Sequence, residues 1–148
     1  MTMTKFRYRL TKKSTQRGQS LVEFALLLPI LVILFMGMFD FGWILHQQIQ
    51  MDNATRLGAR RGAVGDSNTL IIQQMTENST INLLESEITI TVIDQEGVPV
   101  GDNNDRTPDN YIRIQINRPN VQLITPLANF IEGMGPIDLH SEAEFLIE

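Results

Sequence analysis

The chain has 148 residues, no cysteine, two histidines and a formal net charge of −5, which gives room for one membrane segment and one domain of about a hundred residues but not for a second domain. Without cysteine a disulfide framework and a thiolate metal site are excluded, and two histidines are too few to anchor most metal sites. The charge is also unevenly spread: Lys5, Arg7, Arg9, Lys12, Lys13 and Arg17 put six positive and no negative charges into residues 1 to 18, leaving 6 basic against 17 acidic residues, a net −11, for the rest. A body that acidic repels phosphate backbones, so nucleic acid is not an expected partner.

Residues 1 to 18, rich in Lys, Arg, Thr and Ser, have no sustained apolar period and read as a basic leader. By the positive-inside rule they hold the N-terminus in the cytoplasm. Residues 21 to 45 are apolar except for Glu23, Asp40 and a few small residues. A helix of that length spans roughly 37 Å at 1.5 Å per residue, enough to cross a bilayer, so residues 19 to 45 are predicted to be a transmembrane helix in contact with lipid, and 46 to 148 an extracytoplasmic domain. A cleaved secretory signal also begins with a basic flank and an apolar run. Here the run is longer, carries a carboxylate near its start, and is not followed by a persuasive small-x-small site.

Within the span Pro29 removes one helical hydrogen bond and favours a kink, which membrane helices tolerate. Trp43 fits an interfacial aromatic anchor, and Asp40 is expected at headgroup level or against a partner helix. No helix breaker appears between Trp43 and Gly62, so the helix is predicted to continue. Along it Ala54, Gly58 and Gly62 recur every four residues and form a stripe small enough for close approach. Its partner is either the chain's own sheet or a neighbouring subunit. Arg56, Arg60 and Arg61 complement the helix C-terminal dipole, and a solvated face is the default for them.

Gly65-Asp66-Ser67-Asn68 reads as a turn that caps a short amphipathic helix reaching to about Leu84. The β-branched run from Ile88 to Ile93 and the alternating Tyr111-Ile112-Arg113-Ile114-Gln115-Ile116 predict strands joined by an exposed hairpin loop over 97–110. Asp102, Asn103, Asn104, Asp105 and Asp109 in that loop are oxygen donors of the kind calcium takes. The glycine and glutamate of an EF-hand are not at their spacing, and a solvated loop is expected. Pro119 and Pro126 are expected to bracket an irregular or helical connection, with a last strand or two over 137–147. His140 has no evident ligand partner. No Ser/His/Asp set, phosphate loop or paired carboxylate emerges, so the sequence makes no case for an enzyme and calls for no cofactor or metal.

The order of basic leader, Gly18, four residues, Glu23-Phe24 and apolar helix resembles a class III signal, as on type IV pilins and their relatives. Gln19-Ser20-Leu21-Val22-Glu23-Phe24-Ala25-Leu26-Leu27-Leu28-Pro29 is similar to the opening of TadE-like proteins, the minor pseudopilins of tight-adherence (Flp) pilus systems, and Ala54-Thr55-Arg56-Leu57-Gly58-Ala59-Arg60-Arg61-Gly62-Ala63 resembles their small-residue, arginine-rich helix. TadF-like relatives share the opening. The resemblance implies that a prepilin peptidase cuts on the cytoplasmic side between Gly18 and Gln19, and that Glu23 and Phe24 form the processing and assembly signal. It also implies that Pro29, Ala54, Gly58 and Gly62 serve helix packing.

Glu23 has a physical argument of its own. A carboxylate at the membrane centre costs about 2.5–3.5 kcal/mol, less near the interface, so it must face a partner or reach water. In related filaments such a glutamate neutralises the new N-terminal amine of a neighbouring subunit. The expectation is an α+β, pilin-like protein with one long N-terminal transmembrane helix, a short second helix and three or four antiparallel strands. Its implied role is to initiate, prime or cap a Tad-type pilus in the bacterial inner membrane, with prepilin peptidase, other pilins or pseudopilins and the inner-membrane assembly platform as partners. The competing readings are a membrane-anchored structural or adhesion protein that keeps its leader, and an anchored hydrolase.

Overall fold

The computed structural model describes residues 15–101, 106–129, 133 and 135–148. In chain order the helix α1 (Thr15–Ala63), the helix α2 (Asn68–Asn78) and the strands β1 (Ile88–Ile93), β2 (Tyr111–Val121) and β3 (Ile137–Leu146) are joined by turns that include 3-10 segments at Glu85–Glu87 and Pro126–Asn129. The three strands form one antiparallel sheet in the order β1-β2-β3. The architecture is α+β. The chain divides into two compact units, Met1–Met36 and Gly37–Glu148, with α1 contributing to both.

In the second unit the sheet lays one face on α1 and α2. β-branched residues at every second position do this: Ile88, Ile90 and Val92 of β1 and Ile112, Ile114 and Ile116 of β2 are buried, while Thr89, Arg113 and Gln115 are not. Each buried isoleucine contributes about 1.5–3 kcal/mol relative to exposure. Met51, Ala54, Ala59 and Ala63 of α1 and Ile71 and Met75 of α2 complete the core.

Two glycines set the spacing between helix and sheet. A Cβ on Gly58 would come 2.7 Å from Ile114 Cδ1 and overlap Met75 Sδ, and a Cβ on Gly62 would overlap Ile112 Cδ1. The small stripe thus packs inside its own chain, against α2 and β2.

α2 ends at Asn78, earlier than the sequence suggests. Asn78 Nδ2 donates to Gln74 O (2.8 Å) and Ser79, at the C-cap, is extended, so the Asn-Ser-Thr run stops the helix by bonding local backbone groups. Beyond it burial alternates, with Ile81 and Leu83 inside and Asn82 and Leu84 outside, the period of extended chain. At the other end Ser67 is the N-cap and accepts from Leu70 N at 3.4 Å.

Pro119, expected in a connection, lies inside β2. It is tolerated because β1 pairs with β2 only as far as Ile88↔Ile116 and the β2–β3 register slips between Arg118 and Val121, which leaves no ladder bond for its missing N–H to break. Asn120 in that bulge takes φ 59°. The 137–147 stretch makes one strand, not two. Of the expected hairpin loop, Asp94 to Val100 is a tight turn in which Asp94 Oδ1 accepts from Glu96 N and Val98 N, and Val100 N returns to Val92 O. Asp102, Asn103, Asn104 and Asp105 lie outside the described residues.

Polar side chains fix the helix to the far strand and to the β2–β3 connection. Ser141 Oγ donates to Asp52 Oδ1 (2.6 Å) and lies 3.0 Å from Thr55 Oγ1, and Gln48 Nε2 reaches His140 O (2.9 Å). Arg118 donates to Gln47 Oε1 (3.1 Å) and Asn82 O (2.7 Å) and pairs with Glu87 at 3.4 Å. Asp40, 3% exposed, accepts from both the backbone N–H (2.9 Å) and the hydroxyl of Thr125, and Leu127 packs by Gly37. Asp40 therefore spends its hydrogen-bonding capacity on its own chain.

On the outer face Glu142 accepts from Gln115 Nε2 (3.0 Å) and pairs with Arg113 (3.0 Å). The Gln115 hydrogen bond, aided by the Arg113 charge and His140, outweighs the opposing effect of burial and holds its carboxyl below the usual glutamate range.

Two outcomes follow. Gly62→Val should destabilise the second unit by about 1–3 kcal/mol through overpacking, whereas Gly18→Val, with nothing within 4 Å of its added Cβ, should leave the melting of the detergent-solubilised chain unchanged. Asp40→Ala should speed amide exchange at Thr125 and Leu127 while exchange in β2 holds, and Asp40→Asn, which keeps one acceptor oxygen, should fall between.

Candidate processing and assembly segment

The residues singled out at the start of the chain lie on the first turns of α1. Gly18, Gln19, Ser20, Glu23 and Phe24 are all exposed, and Gln19 Nε2 donates to Glu23 Oε1 at 3.2 Å, one helical turn away. Gly18 has no packing reason to be glycine, because a Cβ there meets no atom within 4 Å. A glycine in a helix costs roughly 1 kcal/mol relative to alanine. With nothing among the described residues to need glycine there, the position is suited to something that approaches from outside.

After Phe24 the helix is apolar on every side. Leu21, Val22, Leu26, Leu27, Leu28, Ile30, Leu31, Val32, Ile33, Leu34 and Phe35 are each 41% to 71% exposed. Pro29 sits among them and α1 runs through it without a break. A helix apolar all round is stable only inside a core or in hydrocarbon, and α1 is long and apolar enough to cross a membrane, with none of that window buried in the chain. These features indicate membrane anchoring by one N-terminal helix.

Further along α1 the stripe Ala54, Gly58 and Gly62 belongs to the second unit, buried against α2 and β2. The structure therefore brings Gln19 and Glu23 together, and Ala54, Gly58 and Gly62 together, as two groups in separate units. Of the arginines beside the stripe, Arg61 pairs with Asp66 at 3.5 Å while Arg56 and Arg60 are exposed. His140 lies 2.6 Å from Asn117 Oδ1. Among the described residues no group of three or more His, Asp or Glu side chains is placed to hold a metal ion.

The sequence reading missed the Asp40–Thr125 clasp and the Arg118 junction. A signal for the first was present: Asp40 is the only charged residue between Glu23 and Asp52, and a lone carboxylate in an apolar run needs donors. Its partner is 85 residues away, where no local pattern points.

Comparison with known proteins agrees with the motif at the start of α1. No match to the chain was found among curated proteins or among solved structures. Residues 18–60, a stretch that begins at Gly18 and takes in Glu23, Phe24, Pro29, Ala54 and Gly58, match the family model of the TadE-like proteins, a family associated with the Tad pilus and the one that the opening motif resembles.

Proposed function

We propose that the chain is a minor pseudopilin of a Tad or Flp-type pilus, cut by a prepilin peptidase between Gly18 and Gln19 and then drawn into pilus initiation, priming or capping, and so into surface adhesion. The observation that carries this reading is Gly18 itself. It stands on an exposed helix with nothing among the described residues to accommodate, five positions before Glu23 and at the first residue of the family match.

In this reading the basic leader stays in the cytoplasm and residues 19 to 45 span the inner membrane. Residues 46 to 148 are exported, and the apolar helix meets other pilins or pseudopilins on the inner-membrane assembly platform. The chain acts as substrate of the peptidase and as a structural partner, with no cofactor.

The chemistry at the new N-terminus follows from charge. Cutting after Gly18 creates an ammonium on Gln19 at the edge of the apolar run. Gln19 also carries the amide that occupies Glu23 in the single chain. A carboxylate from an adjacent helix offsets part of the desolvation of that ammonium, and the same holds in reverse, so the pair favours association over the isolated subunit. The exposure of Glu23 leaves its second oxygen open to such a neighbour.

Cells with an active prepilin peptidase should yield a chain whose intact mass begins at Gln19, and Gly18→Val should accumulate in the membrane at full length. A wild-type chain that retains residues 1 to 18 under those conditions would instead support the leader-retaining membrane-anchored protein. Separately, Glu23→Gln should give a membrane-inserted chain of normal abundance, with an intact second unit, that restores pilus formation poorly to a strain lacking the wild-type protein. Wild-type levels of sheared pili from that strain would remove the charge-pairing role.

A further inference from the structure

The unit Gly37–Glu148 has two ends, and the sheet register decides which segments sit at each. Beside the C-terminus of α1, Ala63 O accepts from Glu148 N (3.4 Å), and Ile147 N donates to Asn110 O (2.8 Å), so the start of β2 and the end of β3 meet there. β2 then runs back along α1, and Arg118 near its far end bonds Gln47, which lies roughly four turns of helix before Ala63. The connection that leaves β2 at Val121 consequently arrives at the beginning of the unit. There Thr125 holds Asp40 by two hydrogen bonds and Leu127 lies 4.0 Å from where a Cβ of Gly37 would be.

Gly37 and Asp40 belong to the last turns of the apolar run, where Met38, Phe39 and Phe41 are 63%, 70% and 67% exposed. The β2–β3 connection is thus fixed to the last turns of the apolar run. Its composition suits that position. Residues 121 to 129 contain no charged side chain, and Ile124, next to the anchored Thr125, is 59% exposed. The β1–β2 connection at the opposite end carries, among the described residues, Asp94, Glu96, Arg106 and Asp109. The segment tied to the apolar run is therefore uncharged over residues 121 to 129, in contrast to the charged connection at the other end.

We propose that residues 122–127 form a membrane-contact loop, with Ile124 seated in the lipid surface around the point where α1 leaves the bilayer. The inference rests on the reading of α1 as a membrane span. Asp40 is the device that fixes the depth: its carboxylate satisfies the Thr125 backbone N–H and hydroxyl, so the loop is tied to the helix and neither polar group is stranded when Ile124 meets the lipid. The occupant is lipid, because Thr125 and Leu127 hold the loop to Asp40 and Gly37, within the apolar run whose Met38, Phe39 and Phe41 are exposed and which, read as a membrane span, the bilayer covers.

The natural absence of cysteine permits single-site labelling. Leu31→Cys, Ile124→Cys and Val98→Cys, all at exposed positions, each receive one environment-sensitive fluorophore. The full chain is reconstituted into vesicles of phosphatidylethanolamine and phosphatidylglycerol, with and without phosphatidylcholines carrying a nitroxide, near the headgroup in one and deep on the acyl chain in the other. The label at 124 should be blue-shifted relative to the label at 98 and lose emission to the headgroup nitroxide, as the label at 31 should to the acyl-chain nitroxide, while the label at 98 should keep its emission with both. Quenching at 31 with emission at 124 equal to that at 98 would overturn the loop contact and leave the span standing. Absence of quenching at both 31 and 124 would overturn the span and the loop contact with it.

Discussion

One continuous helix has to satisfy two different environments, and the rest of the structure follows from how its sequence divides that task. From Phe24 to Phe35 its side chains are apolar all round and find no cover among the described residues, so burial must come from hydrocarbon or from other helices. From Met51 onward the same helix has a sided character, with alanine and glycine toward the sheet and arginine and asparagine away from it. Small residues on the inner side matter because the sheet presents isoleucines: Ile112 and Ile114 fill the space that Gly62 and Gly58 leave empty. Close approach of backbones thus replaces the interdigitation of large side chains on both surfaces.

Where apolar contact leaves freedom of sliding, hydrogen bonds remove it. Ser141 is the inward polar residue of β3 between Leu139 and Ala143, and its bonds to Asp52 and Thr55 define one register of strand on helix. Arg118 does the same for the other edge of the unit by joining the helix, the extended segment at Asn82 and the turn at Glu87. None of the described buried side-chain polar atoms is left without a partner, so these groups act as specificity elements without an uncompensated desolvation cost.

The features that were legible in the sequence are those written in local period and composition. The apolar run, the turn at Gly65 to Asn68, the β-branched strand from Ile88 to Ile93 and the alternation from Tyr111 to Ile116 each declare themselves within a few residues. The end of α2 was misplaced because the alternation at Ile81 and Leu83 is too short to mark extended chain until their burial is seen. Pro119 looked like a strand terminator because proline usually is one. Only the pairing scheme shows that its missing N–H falls where β2 has lost one neighbour. In the candidate site, Gly18, Gln19, Glu23 and Phe24 were visible as a spaced motif, whereas the clasp at Asp40 depends on a residue far along the chain and was beyond any local rule.

The separation of partners along the chain also dictates an order of events during synthesis. Thr55 and Ser141 are 86 residues apart and Asp40 and Thr125 are 85 apart, so neither pair can close until most of the unit has emerged from the ribosome. The helix with its glycine face exists long before Ile112 and Ile114 are made, and a sheet that assembles through non-local pairings forms slowly. For a chain whose helix is inserted as it is made, Gly58 and Gly62 would cross the bilayer uncovered. The newly synthesised chain would therefore pass through an interval in which its closest-packing surface is free to meet a stranger.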